Sequence, residues 1–169
     1  MTIQAQVKAE PMTTRVALHP FLVGMNRRQL ALLTDCAMAV QFKKGQLIFR
    51  EGEPANRFYL IETGKVNLES GGEEGNSVVI DTIGAGDLLG WSWMFQPYAW
   101  HFTARAVEAT TAIFFYGTIL REYCEADHSL GYELLKRMSL VMYQRMQAAR
   151  TKMLTIHQFS EALQPGGGG

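Results

Sequence analysis

The chain has 169 residues, of which 47% are hydrophobic, and 16 Lys and Arg balance 16 Asp and Glu. That length builds one domain with a real core, and the composition excludes a disordered chain. Zero net charge provides no global field for nucleic acid, and the lack of any apolar run near ~18 residues excludes a membrane-spanning helix.

In chain order, residues 1–14 read as a flexible leader without the apolar stretch of a secretory signal. Asn26 with Gln29 three residues later forms a capping-box pattern, and Leu30, Leu33 and Ala37 recur at helical spacing. This predicts a short amphipathic helix from Asn26 to Met38. Short apolar runs then alternate with glycine turns: Val40–Phe42, Leu47–Phe49, Phe58–Ile61, Val66–Leu68, Val78–Ile83, Phe102–Val107 and Ala112–Tyr116. Such punctuation predicts an all-β sandwich or barrel, with Gly64 in a tight hairpin that requires positive φ. After Asp127 the pattern is helical for about thirty residues. Ser139, Met142, Met146, Ala149, Met153 and Ile156 alternate at spacings of 3 and 4, a heptad seam that predicts dimerisation through this helix. The predicted organisation is therefore a leader (1–14), a helix and β core (15–126), a long helix (127–160) and a flexible tail (161–169).

Three stretches carry a family resemblance. Lys44, Gly45 and Ile48 followed by Glu51, Gly52 and Glu53 match one motif; Tyr59, Ile61, Gly64 and Val66 match a hairpin motif; and Ile83, Gly84, Gly86, Asp87 and Gly90 match the lead-in to a phosphate-binding cassette. Together, in order, they resemble the cyclic nucleotide-binding domain, the effector domain of catabolite-activator and Fnr-type regulators, over roughly residues 18–159. The resemblance implies a double-stranded β-helix, or jelly roll, mainly β with flanking helices, plus a long C-terminal helix that commonly makes a dimer. The helix-turn-helix reader of such regulators would follow the terminal helix, and only about ten residues follow Phe159. Either the chain is a stand-alone sensor, or its DNA reader lies elsewhere or was cut away.

In this family a cyclic phosphate meets backbone N–H groups at a short helix N-terminus and an Arg, while a Glu takes the ribose hydroxyl. Here Gly90 fits the helix start, but Trp91 stands at the Glu position and Trp100 at the Arg position, followed by His101. On the terminal helix, Ala149 and Arg150 stand where the cAMP-responsive activator uses Thr and Ser against adenine. A charge-assisted hydrogen bond is worth about 1.5–3 kcal/mol, so losing both anchors weakens cAMP binding by several orders of magnitude. A cyclic nucleotide is therefore disfavoured as cofactor, and no other cofactor is implied. Two readings of the aromatic set remain open. One is a pocket relined for a flat or apolar effector, with candidate contacts at Gly90, Trp91, Ser92, Trp93, Trp100, His101, Phe102, Thr103, Arg105 and Arg150. The other is a pocket filled by its own aromatics. A true cyclic nucleotide binder using atypical contacts is the third, less favoured, alternative.

Other chemistries find little support. His19, His101, His128 and His157 are scattered without ligand spacing, which argues against a metal site. Cys36 and Cys124, far apart, predict reduced thiols rather than a disulfide framework or an iron–sulfur centre. No nucleophile elbow or P-loop occurs. The five basic residues of the terminal helix, Lys136, Arg137, Arg145, Arg150 and Lys152, read as a solvated face. The expectation is a cytoplasmic, non-enzymatic, homodimeric sensor or adaptor with a small-molecule effector, a separate output protein and no DNA-binding domain or membrane contact of its own.

Overall fold

The computed structural model describes residues 10–72 and 76–164. Four α-helices, α1 (Met12–Leu18), α2 (Arg27–Cys36), α3 (Gly117–Ala126) and α4 (His128–Leu163), flank eight strands. The strands are β1 (Met38–Phe42), β2 (Leu47–Phe49), β3 (Arg57–Thr63), β4 (Lys65–Ser70), β5 (Val78–Gly84), β6 (Leu88–Leu89), β7 (Thr103–Ala106) and β8 (Thr110–Tyr116). They form two antiparallel four-stranded sheets, ordered β1-β8-β3-β6 and β2-β7-β4-β5. The expected mainly-β jelly roll with flanking helices and a long C-terminal helix is the fold observed.

Alternating side chains from both sheets build one core. Phe42, Tyr59, Ile61, Leu89, Ala112 and Phe114 from the first sheet meet Phe49, Val66, Leu68, Ile83, Ala104 and Ala106 from the second. Ala104 and Ala106 of β7 are fully buried within this core. Gly64 joins β3 to β4 at φ +96°, and a Cβ there would lie 2.5 Å from the Ala109 carbonyl oxygen. Both the hairpin's left-handed backbone and the close strand approach therefore require glycine.

The capping box at Asn26 is present: its side chain accepts from the Gln29 N–H, and Gln29 reaches back to the Asn26 N–H. The helix it starts ends at Cys36, two residues short of Met38, which instead begins β1 and pairs with Phe114. The expected leader is revised where it is described: Met12–Leu18 is helical, and residues 1–9 lie outside the described residues. Val16 is buried, and Arg15 makes a two-pronged ion pair with Glu62 of β3 at 2.8 and 2.5 Å. The expected tail from 161 is likewise shortened, because α4 continues to Leu163; residues 165–169 lie outside the described residues.

The chain divides into two compact units, 1–133 and 134–169. The first contains the sandwich and the start of α4, where the Asp127 carboxylate accepts from the Ser129 and Leu130 N–H groups. Gln29 donates to Ser129 and Arg28 pairs with Asp127, so α2 is fastened to this junction. The second unit is the remainder of α4, with Tyr143, Met146, Met153, Ile156 and Phe159 exposed along it. Among the described residues no helix is long and apolar enough to cross a membrane.

Candidate functional site

The segment between β6 and β7 carries most of the residues expected to contact a ligand; Thr103 and Arg105 belong to β7 and Arg150 to α4. The segment leaves β6 through Gly90 at φ +86° and makes one three-residue 3-10 turn, Ser92–Met94. The helix start expected at Gly90 is therefore corrected. A single turn capped by Trp91, whose side chain makes no capping bond, cannot present the N-terminal dipole of a full helix.

The returning arm is laced to the turn after β2. The Trp100 N–H donates to the Glu53 carbonyl at 2.9 Å, the Gly52 N–H to the Trp100 carbonyl at 2.8 Å, and the Ala55 N–H to the Tyr98 carbonyl at 2.6 Å. This fixes Trp100 over the core. Its indole stacks on Phe49 with centroids 3.8 Å apart and planes within 10°, and only 3% of the residue is exposed. Phe102 tilts against the same Phe49 ring at 5.6 Å. A Cβ on Gly90 would lie 2.5 Å from Trp100 Cζ3, so the indole lies directly against the backbone expected to receive a phosphate. The edge it turns to Gly90, Cζ3 and Cη2, offers an anion neither charge nor donor.

The other candidates separate into different places. Trp93 is fully buried on a second aromatic cluster, 5.6 Å from Phe58, with its Cβ 2.8 Å from where a Cβ on Gly117 would stand. Its indole N–H has no partner among the described residues, while its carbonyl accepts from the Arg121 guanidinium. Trp91 is half-buried, and Ser92 is buried with its carbonyl accepting from the Phe95 N–H. His101 is exposed. Thr103 accepts the Glu51 N–H at 3.0 Å, and Arg105 pairs with Glu69 at 3.6 Å and donates to the Gly45 carbonyl. Those two residues line a separate polar cleft of about 430 Å³ with Glu51, Glu69, Ser70 and Ser77. Arg150 lies in the second unit and is exposed, as are Met146, Ala149, Met153 and Ile156, while Met142 is half-buried.

Two arginines, Arg121 and Arg57, had no sequence signal. Arg121 of α3 lies 4.2 Å over the Tyr98 ring as well as holding the Trp93 carbonyl, and so positions the whole 93–98 turn. Arg57 and Tyr59 of β3 line a cleft of about 360 Å³ together with Trp100. Both arginines look like ordinary surface charge in the sequence.

Buried titratable groups are structural. His19 accepts the Phe21 N–H at Nδ1 and faces the Ile61 carbonyl with Nε2 at 2.8 Å, which selects the neutral Nε2–H tautomer. Burial lowers its pKa, opposed by the Ile61 hydrogen bond. Burial pushes both thiols, Cys36 and Cys124, up to about 11, so neither is a reactive thiolate at neutral pH.

The family model for the cyclic nucleotide-binding domain matches residues 39–127, more than half of the chain. The chain belongs to that family. It is 26% identical over 113 residues to the CRP-like cAMP-activated global transcriptional regulator of Mycobacterium tuberculosis, covering 67% of this chain and 50% of the regulator. The chain thus spans about half the length of that curated relative. Among solved structures, a cyclic nucleotide-binding domain from Methylobacillus flagellatus superposes with a TM-score of 0.70 at 18% identity, covering 85% of this chain and 79% of that one. The regulatory subunit of a cAMP-independent protein kinase A from Trypanosoma brucei, solved as a mutant bound to cAMP, superposes at 0.68 with 21% identity, covering 89% and 53%. At these identities the structural likenesses establish the shared fold. The chain's relatives include the Mycobacterium tuberculosis transcriptional regulator and the regulatory subunit of a cAMP-dependent protein kinase from Schizosaccharomyces pombe, 30% identical over 71 residues.

Proposed function

We propose that the chain is a non-enzymatic regulatory module of the cyclic nucleotide-binding family that does not take a cyclic nucleotide between its sheets. The observation that carries this reading is Trp100, stacked on Phe49 and pressed against Gly90. A nucleotide entering there would have to expel a buried indole whose burial contributes about 3–5 kcal/mol, and would find no Arg or Glu in return. The Trypanosoma kinase neighbour, cAMP-independent by its description, is a precedent for this fold outside ordinary cAMP control.

Output in this reading runs through association. The exposed Met146, Met153 and Ile156 of α4 form the core of a homodimer seam, with Met142 and Ala149 in the same heptad register, and a separate cytoplasmic partner protein reads the dimer. Sedimentation tests the seam: Met146→Glu is expected to convert a dimer to monomer, and an unchanged dimer contradicts it. Calorimetry with cAMP, cGMP and cyclic dinucleotides tests the filled interior. No heat is expected, and saturable micromolar binding would return the module to the nucleotide sensors.

A further inference from the structure

Helix α1 has seven residues and no side-chain cap from Pro11, and a helix that short does not persist alone in water. Contact with the rest of the domain holds it and the turn behind it. Val16, Leu22 and Met25 are buried, Phe21 meets Phe58 edge to face at 5.6 Å, and Arg15 pairs with Glu62.

His19, at the end of α1, is the one fastening there that a proton can change near neutral pH. Both ring nitrogens are engaged. Nε2–H donates to the Ile61 carbonyl of β3 at 2.8 Å, and Nδ1 accepts the Phe21 N–H at 3.2 Å. The Ile61 carbonyl also accepts the Gly86 N–H at 2.8 Å, so the ring meets β3 and the turn between β5 and β6 at one oxygen. A proton can enter only at Nδ1, the nitrogen with the lone pair. Nδ1–H would then face the Phe21 N–H, donor against donor, and a charge would stand on a residue that is 4% exposed. The closed arrangement accepts the neutral ring and rejects the cation.

The surrounding charges do not reverse this. Arg15 and Glu10 approach from the α1 side, Glu62 from β3 and Asp87 from the turn before β6. The carboxylates favour the cation, but Glu62 is bonded twice by Arg15, and Asp87 accepts the Gly84 N–H at 2.8 Å. Burial outweighs them and lowers the His19 pKa. A cleft of about 290 Å³, bordered by His19, Leu18, Pro20, Ala85 and Gly86, brings water to the edge of the ring.

We infer that His19 is a pH-operated latch, whose protonation at Nδ1 releases α1 and the following turn from β3 while the sandwich stays folded. The released segment takes up the proton at the ordinary histidine pKa of about 6.5. Below that pH its population rises by up to about tenfold per pH unit, until the closed form protonates as well. The latch goes beyond the reading of a filled interior, since it involves neither Trp100 nor α4.

The test is NMR of the intact chain from about pH 7.5 to about pH 5, across the histidine range. It reads the His19 ring nitrogens and amide exchange normalised to each residue's intrinsic rate. Val16 and Leu22 are expected to lose protection by up to about tenfold per pH unit, while Ile113 of β8 keeps its own. The Gly86 amide signal should shift as its shared carbonyl loses the imidazole. His19→Gln keeps an amide donor for Ile61 but cannot titrate, so protection of Val16 and Leu22 should no longer depend on pH; a thermal melt establishes that the variant is folded. The latch is overturned if His19 protonates while Val16 and Leu22 stay protected, or if Ile113 opens in step with them. It is equally overturned if folded His19→Gln loses protection with the pH dependence of the parent chain.

Discussion

Trp93 and Trp100 stand seven residues apart on one connection, yet they serve opposite sides of it. Trp93 turns toward Phe58 and the Gly117 start of α3, where its backbone carbonyl is held by Arg121. Trp100 turns between the sheets onto Phe49 and Gly90. One tryptophan anchors the connection to a helix, and the other occupies the space that would make the connection a binding loop. The same residue type in the same segment thus separates into a structural role and a role that sets function.

The largest expected effect falls on Trp93. Trp93→Ala should cost about 3–5 kcal/mol in urea unfolding, because it removes a fully buried ring while leaving the backbone carbonyl on Arg121. Trp93→Phe should cost far less, since it also removes an indole N–H with no partner among the described residues. A large loss in the Phe variant would mean that the N–H is satisfied in solution.

Gly90→Ala comes next, at about 1–3 kcal/mol, from positive φ together with the Trp100 contact. Placed in a Trp100→Ala background, the steric part of that cost should disappear and the backbone part remain. Full additivity of the two substitutions would show that the ring does not press on Gly90.

The smallest effect is a pH dependence. His19 has a folded pKa below its unfolded value, so the unfolded state binds the extra proton first. Its contribution is complete above the ordinary histidine pKa of about 6.5 and is lost as pH falls through the lower folded value. His19→Asn, which removes the titrating group, should flatten stability over that window; an unchanged slope would assign the dependence elsewhere. Neither tryptophan cluster titrates there, so both should lose stability in parallel.

The sequence was informative where local chemistry dominates. The Asn26 capping box, the Gly64 hairpin and Leu47–Phe49 are found where spacing places them, and three ordered motifs suffice for the family. It was uninformative where distant contacts decide. Helix α1 has only seven residues and depends on Glu62, 47 positions away, to hold Arg15. Helix α3 opens on Gly117 without a side-chain cap and continues with β-branched Thr118 and Ile119, so no propensity signal precedes it. Strand β6 is two residues long, too short to show alternation. For the site, the aromatic density was visible, but the side taken by each ring was not, because the arm from Tyr98 to Trp100 is directed by backbone bonds to Gly52, Glu53 and Ala55. Arg57 escaped notice because the rings it lies over, Phe114 and Tyr116, come nearly sixty residues later.

The most direct test of the filled interior is an NMR titration of the intact chain with cAMP, followed at the Gly90 amide and the Trp100 indole N–H. The account predicts that neither signal moves at millimolar cAMP, because the indole already covers that backbone. Saturable micromolar shifts of both, with Trp100 displaced from Phe49, would contradict it.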